Sequence, residues 1–500
     1  MHVHLIGICG TGMGALALLF REAGHTVTGS DTAFDPPTGP ELRAAGIRCV
    51  EGYDAEHLSP RPDLVVVGNV IRRNNPEAEA AELLGVARTS MSAALRTHFL
   101  EHRRPLVVAG THGKTTTASM CAWLLAQAEL EPGWFIGGLP KNLGRGASLG
   151  RTKRKLLGDA RPAPFVVEGD EYDAVYWHKQ PKFLDYVGVG RDDVVIVTSV
   201  EFDHVDIYPD VSSYEAAFRA LARAVPADGL IVCDARDHRA TAIMREEARA
   251  RVVPYALLGD DTGDVTPTWL GAIAPFDLDG AQPFDLFAGG VSCGRYTMLV
   301  PGAHNVRNAV AAIAACAEGF GASERGARMA LARFEGVRRR QDLLGTPAGV
   351  RVYDDFAHHP TAVAETLRAL RARHPVGALW AVFEPRSATA CRAVHQSEYS
   401  RAFDAAGRVL LAPLGRSNLP EAERLDLARL AREIGPHATL VPSVDAAVEL
   451  VAGGAASGDT VALLSNGAFG GIYAKLLDRL AARPAAPSTS RIDAISGGNE

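Results

Sequence analysis

The sequence predicts an α/β protein of three domains, each built on a mainly parallel sheet. Three observations carry that expectation. The chain has 500 residues, far more than one hydrophobic core supports at roughly 150 residues per domain. Short apolar runs recur, end in Gly or an acid, and lead into helical spacing, as strands buried between helices do. Two Gly-rich strand-to-helix turns, GICGTGMG at 7–14 and GTHGKTTT at 110–117, head two separate blocks. The expected architecture is an N-terminal Rossmann-like domain, a central phosphate-loop ATPase-like α/β domain and a C-terminal Rossmann-like α/β domain.

The first domain is expected over residues 1–104. It opens with a strand over 2–8, a helix over 15–23 stopped by Gly24, and a strand over 26–29 just before Asp31. DLVVVG at 63–68 reads as a buried strand and 77–84 as a helix. The basic, Pro-containing stretch 102–105 marks the boundary. The second domain, 105–320, has strands at 106–109, 165–168 and 194–200 and a helix over 115–128; its Gly-, Pro- and Asp-rich stretch 261–290 reads as an excursion of β character. The third, 321–484, has strands at 350–353, 378–383, 409–412 and 460–464 with helices between them. Residues 485–500, rich in Pro, Ser, Gly and Asn, are expected to form a disordered tail.

A content of 47% hydrophobic and 22% charged residues is ordinary globular usage and excludes a disordered or collagenous chain. The net charge of −6 offers no basic field, so neither nucleic acid nor a membrane surface is expected as a partner. Only seven of the 52 basic residues are Lys, which singles out each one. Seven widely spaced Cys without a CxxC pair argue against a disulfide framework or structural zinc. The start lacks a basic leader, and no apolar run approaches the ~20 residues of a membrane span. A cytoplasmic location is expected.

Gly110, Thr111, His112, Gly113, Lys114, Thr115 and Thr116 lie between a strand and a helix, where backbone N–H groups wrap phosphate oxygens. Gly permits close approach, Lys114 meets the β/γ charge, and the Thr115 hydroxyl suits Mg²⁺. The generic pattern has Gly at position 108 where this chain has Val108, so the match is to a GTxGKT variant. A nucleoside triphosphate is the expected ligand. Acids and a His at the ends of two strands, in EGDE (168–171) and EFDHVD (201–206), make Glu168 and His204 metal candidates. The turn at Gly10, Thr11, Gly12 and Met13, with Asp31 19 residues after Gly12, suits a diphosphate and a ribose; a UDP-sugar and NAD both fit it. His304, Asn305 and Asn308 in GAHNVRN offer amide and imidazole groups to a base, or simply cap a helix. Arg339 in RRRQD and Asp355 and His358 in DDFAHHPT suit closure over a phosphate. Arg386 in FEPRSAT follows a strand, and a guanidinium there can hold a carboxylate in bidentate fashion.

This ordered set resembles the Mur ligase family, the ATP-dependent amide-forming enzymes of peptidoglycan metabolism, over nearly the whole chain. NVIRRNNPEA (69–78), WHKQPKF (177–183), FEPRSAT (383–389) and SNGAFGGIY (465–473) resemble the branch that acts in murein recycling. The resemblance implies that L-alanyl-γ-D-glutamyl-meso-diaminopimelate is joined to UDP-N-acetylmuramate through an acyl phosphate, with L-alanine as the alternative acceptor. It implies ATP and Mg²⁺ as cofactors, with Thr115, Glu168 and His204 on metal and the 110–116 loop, His304, Asn305, Asn308 and Arg339 on ATP. Lys114, Glu168, His204, Arg339, Asp355 and His358 would be catalytic. Gly10, Thr11, Gly12, Met13, Asp31, Arg386 and Asn466 would bind substrate. Two positions depart from the pattern, Gly169 where Ala is common and Ala388 where Asn is usual. Phe218 stands where other family members carry a carbamylated Lys, so none is expected here. An NAD-dependent oxidoreductase would leave the phosphate loop unexplained, and a nucleotide-regulated binding protein would use Lys114, Glu168 and His204 only as a switch.

Overall fold

Runs of β-branched and Leu residues form the middle of each sheet: Leu64–Val67, Val194–Val197 and Thr460–Leu464 are buried at every position. Such two-sided burial is what a parallel sheet covered by helices demands. The computed structural model describes residues 1–483 apart from 37, 152, 157, 158 and 417, so the expected tail lies outside the described residues.

The first sheet contains β1 (His2–Ile6), β2 (Thr26–Asp31), β3 (Arg48–Glu51), β4 (Leu64–Val67) and β5 (Ala87–Ser90), all parallel in the order β3-β2-β1-β4-β5. The central unit runs through β6 (Arg104–Ala109), β7 (Gly133–Phe135), β8 (Ala147–Ser148), the hairpin β9 (Lys153–Leu156) and β10 (Asp159–Pro162), β11 (Pro164–Glu168), the hairpin β12 (Asp173–Val175) and β13 (His178–Pro181), β14 (Val194–Val197), β15 (Leu230–Asp234), β16 (Arg251–Leu257), β17 (Trp269–Ile273), β18 (Gln282–Ala288) and β19 (Val291–Met298). Its ten-stranded sheet is ordered β19-β18-β17-β16-β15-β14-β6-β11-β7-β8. The third sheet holds β20 (Asp342–Gly345), β21 (Arg351–Asp355), β22 (Leu379–Phe383), β23 (Arg408–Leu411), β24 (Ala438–Leu440) and β25 (Thr460–Leu464), ordered β20-β21-β25-β22-β23-β24.

The mixed α/β architecture in three units is as the sequence implies, with local differences. The first helix begins at Thr11, so Thr11 to Gly14 form its first turn. The strand expected over 194–200 ends at Val197, because the Thr198 hydroxyl turns aside to the carbonyls of Ala109 and His112. The excursion at 261–290 supplies β17, which joins β16 in parallel, and β18, which with β19 extends the central sheet in antiparallel fashion. Residues 321–337 were expected in the third block, yet Ala327, Ala330, Leu331, Phe334 and Val337 pack into the central core. Their apolar face finds its partner on the helix Lys114–Gln127 side, where Trp123 donates to the Ala330 carbonyl at 2.8 Å.

The first two units share one core: Met13, Phe20, Met91 and Phe99 belong to the same cluster as Phe135, Ala147 and Phe183. The third unit has two cores of its own, one on each sheet face, and neither includes a residue before Leu344. It meets the central unit through polar contacts, among them Lys141–Asp342 at 2.6 Å and Thr361–Glu201 at 2.7 Å. A polar seam of this kind permits relative motion more readily than a shared apolar core.

Candidate functional site

The phosphate loop is held open by its neighbours. β6 delivers the chain at Ala109, Gly110 takes φ +122°, Gly113 takes φ +78°, and the helix starts at Lys114. A Cβ on Gly110 would run into Thr198 and Ser199, and one on Gly113 would lie 2.5 Å from Asn308 Oδ1. Ser199 Oγ accepts from His112 N at 3.1 Å, which fixes the loop to the end of β14. Two cavities meet here. One of about 550 Å³ is lined by His112, Gly113, Thr115, Thr116, His304, Asn305, Asn308 and Asp355. The other, of about 380 Å³, is lined by Gly10, Thr11, Gly12, Met13, Thr111, Lys114, Glu168, His204 and His358. Both share His112, Gly113, Thr115 and Arg340.

Charge is concentrated at the junction. Lys114 Nζ donates to both oxygens of buried Glu171, at 2.8 and 2.9 Å, and to the Gly110 carbonyl at 2.6 Å. Burial would lower the Lys114 pKa, but Glu171 outweighs it and raises the value. Thr115 Oγ1 donates to Glu168 Oε1 at 2.6 Å, and Gly137 N donates to Glu168 Oε2 at 2.7 Å. His204 Nε2 stands 3.6 Å from Glu171 Oε2. Burial pulls the His204 pKa down, but the Glu171 hydrogen bond and the Asp203 charge carry it up. Asp170 is pulled down to about 2; burial opposes the shift and Lys182, 2.8 Å away, outweighs it.

Across the seam, His358 Nδ1 is bonded to the Phe356 carbonyl at 3.0 Å, which makes Nδ1 the donor and leaves Nε2 an acceptor. Burial pushes the pKa of His358 down, and that of His304 likewise. His304 Nε2 faces the Gln341 amide at 3.1 Å. Asn305 donates to the Pro301 carbonyl at 2.8 Å, and Asn308 faces Asn305 at 3.4 Å, so the two amides hold each other along the cavity wall.

Arg339 does not reach the phosphate loop. With φ +60° it turns into the third unit, where its guanidinium bonds Asp354 at 3.2 Å, the carbonyls of Ser465 and Gly467 at 2.8 and 2.7 Å, and Tyr473 at 3.0 Å. Its neighbour Arg340 points the other way and donates to Thr115 Oγ1 at 3.3 Å. Asp355 acts on the same turn: it accepts from Gln341 N and Ala357 N, both at 2.7 Å. Asp31 likewise braces a turn, accepting from Cys9 N at 2.8 Å and Thr32 N at 2.7 Å. Asp31, Arg339, Arg386 and Asn466 are outside the linings of both cavities, and Gly110 contributes its carbonyl from behind the loop. The Arg386 side chain runs across Gly467, beside Asn466, whose buried Oδ1 has no partner among the described residues. Phe218 is fully buried against Phe183 and Tyr214.

Sequence reasoning missed Arg340, Glu171 and Lys182 as site residues. All three lay inside motifs already singled out, and the scarcity of Lys was a usable signal for Lys182, which is buried on Asp170 beneath Tyr172.

Family models match the chain in three consecutive pieces: the Mur ligase family catalytic domain over residues 2–103, the Mur ligase middle domain over 108–316, and the Mur ligase glutamate ligase domain over 339–467. The chain belongs to the Mur ligase family. It is an ATP-dependent ligase that forms a carbon–nitrogen bond. A relative from Escherichia coli K12, named a UDP-N-acetylmuramate–L-alanyl-γ-D-glutamyl-meso-2,6-diaminoheptandioate ligase, is 37% identical over 96% of this chain and 98% of its own length. A UDP-N-acetylmuramate–L-alanine ligase from Roseiflexus sp. RS-1 is 36% identical over 81% of this chain and 83% of its own. The crystal structure of a murein peptide ligase from Psychrobacter arcticus 273-4 superimposes with a TM-score of 0.70 at 33% identity, covering 97% of this chain and 100% of that one. Among the described residues no helix is long and apolar enough to cross a membrane.

Proposed function

We propose that this Mur ligase joins the free tripeptide L-alanyl-γ-D-glutamyl-meso-diaminopimelate to the lactoyl carboxylate of UDP-N-acetylmuramate, with conversion of ATP to ADP and phosphate. The observation that carries this reading is the meeting of two cavities at one phosphate loop, in a chain similar over nearly its full length to the E. coli tripeptide ligase. ATP occupies the larger cavity, its base beside His304, Asn305 and Asn308 and its phosphates over residues 110–116. UDP-N-acetylmuramate approaches through the smaller cavity, over the first turn of the helix Thr11–Glu22.

A carboxylate oxygen attacks the γ-phosphorus, the bond to the ADP oxygen breaks, and an acyl phosphate forms. The peptide's α-amine then adds to the acyl carbon, and phosphate leaves. Lys114 turns from Glu171 to the transferring phosphoryl group, and Arg340 meets it from the third unit; fixed cations aimed at developing charge are the main source of rate in phosphoryl transfer. His358, neutral and with Nε2 free to accept, takes the proton that the attacking amine sheds. The Thr115 hydroxyl and Glu168 carboxylate, 2.6 Å apart, are the all-oxygen pair that Mg²⁺ prefers, and His204 beside Glu171 would hold a second ion. Bound there, Mg²⁺ supplies positive charge against the triphosphate. Arg386 and the orphan oxygen of Asn466 hold the peptide's carboxylate and amide groups.

The test is phosphate release with Mg-ATP and UDP-N-acetylmuramate, comparing the tripeptide with L-alanine. Turnover is expected with the tripeptide. Turnover with L-alanine alone would move the chain to the biosynthetic reaction. Arg386→Ala should raise the tripeptide KM about 10- to 100-fold, the worth of a charged hydrogen bond, and spare the KM for ATP.

A further inference from the structure

A second group of metal-binding side chains lies on the seam, apart from Thr115 and Glu168. His112 Nε2 stands 2.7 Å from Glu201 Oε2, and His359 Nδ1 stands 3.8 Å from Glu201 Oε1. The His112 and His359 rings are 4.7 Å apart, and one ligand atom from each of the three residues falls within 4.8 Å of the others. His359 is 4% exposed; its Nδ1 takes only a long 3.4 Å bond from Thr361 N, and its Nε2 has no partner among the described residues. Glu201 is braced by Thr361 Oγ1 at 2.7 Å, the outer support that metal-ligating carboxylates usually have.

We infer that His112, Glu201 and His359 form a site for a borderline transition-metal ion such as Zn²⁺, distinct from the Mg²⁺ site of the reaction. Two imidazole nitrogens and one carboxylate suit Zn²⁺ or Co²⁺ and are a poor set for Mg²⁺. At metal–ligand distances of about 2.0–2.1 Å, tetrahedral ligand atoms lie about 3.3 Å apart, within the 4.8 Å that spans one ligand atom from each of the three residues here. As the ion arrives, the proton between His112 and Glu201 leaves to solvent, and the long bond from Thr361 N to His359 Nδ1 gives way. His112 lines both cavities, Glu201 the larger and His359 the smaller, so the cluster sits between the two.

The three ligands come from the phosphate loop, the turn after β14, and the cap of the third unit's helix Pro360–Arg373. The ion therefore clamps the third unit to the phosphate loop.

The full-length chain, freed of metal, is titrated with Co²⁺ and followed by visible d–d absorption. A tetrahedral band saturating at one ion per chain is expected; Zn²⁺ displaces it and excess Mg²⁺ does not. Glu201→Gln and His359→Gln abolish the band, whereas His204→Gln keeps it. In parallel, Zn²⁺ raises the melting temperature of the unsubstituted chain and leaves that of Glu201→Gln unmoved. Absence of the band from the unsubstituted chain, its survival in either seam variant, its loss in His204→Gln, or a sulfur charge-transfer band overturns the inference. A variant that fails to fold is replaced by Glu201→Ala or His359→Asn, read by the same band.

Discussion

The two adjacent arginines at 339 and 340 have opposite fates. Arg339 satisfies two carbonyls and a carboxylate inside the third unit, so Arg339→Ala should cost about 2 kcal/mol of stability, read as a lower melting temperature, with a small effect on kcat. Arg340→Ala should instead lower kcat about 100-fold, the usual loss for one donor aimed at transition-state charge, with stability nearly kept. The reverse pattern would return the catalytic role to Arg339. The cluster RRRQD was legible as a site; which arginine faces the phosphate loop was not. The choice depends on the positive φ of Arg339 and Gln341, and those follow from Asp355 accepting the Gln341 N–H, a contact between residues 14 apart.

Strand-to-helix turns were the most legible elements, because a buried apolar run followed by Gly and then helical spacing leaves few alternatives. Gly113 shows why the residue type matters. At φ +78° an L side chain is strained, and its Cβ would press on Asn308. Gly113→Ala should therefore cost about 2 kcal/mol of stability and weaken ADP binding at least ~10-fold, measured by calorimetry. Unchanged ADP affinity would show that the loop tolerates a shift away from Asn308. What the local pattern could not supply was ownership. The helix Glu324–Leu331 carries a strong apolar face, but only the tertiary structure shows that the face covers the central core. Likewise, the end of β14 is set by Thr198 reaching back to the phosphate loop, a distant partner invisible to periodicity.

At the scale of the whole molecule, the seam couples stability to pH. Glu201 has its pKa lowered to about 2; burial opposes this, and the His112 hydrogen bond and charge outweigh it. Its contribution is complete above the ordinary value of 4.5 and is lost as pH falls toward 2. His359 is lowered to about 3, by burial first and by His112 next. The unfolded chain protonates this His below its ordinary 6.5 while the folded chain resists until about 3, so its contribution is also lost on acidification. In metal-free buffer the folded state should therefore lose about 2 kcal/mol from this His between about pH 7 and about pH 5, seen as a falling urea midpoint. His359→Asn should flatten that slope; an equal slope in the variant would place the titration elsewhere. The three-unit plan was legible from length and repeated patterns. The shared core of the first two units against the polar attachment of the third was not, since it depends on which surfaces meet.

Strand order also governs how the chain matures as it is made. All five strands of the first sheet lie within the first 90 residues, so that sheet can close while the rest is still being translated. β6 is different: its neighbours β11 and β14 end at residues 168 and 197, so the phosphate loop, complete at residue 117, waits through about eighty further residues for Thr198 and Ser199 to hold it. Arg340 and His359 arrive later still. A nascent chain thus has the strands of its first sheet long before its phosphate loop is held, and the third unit that carries Arg340 is complete only once β25, at residues 460–464, has left the ribosome to pair with β21.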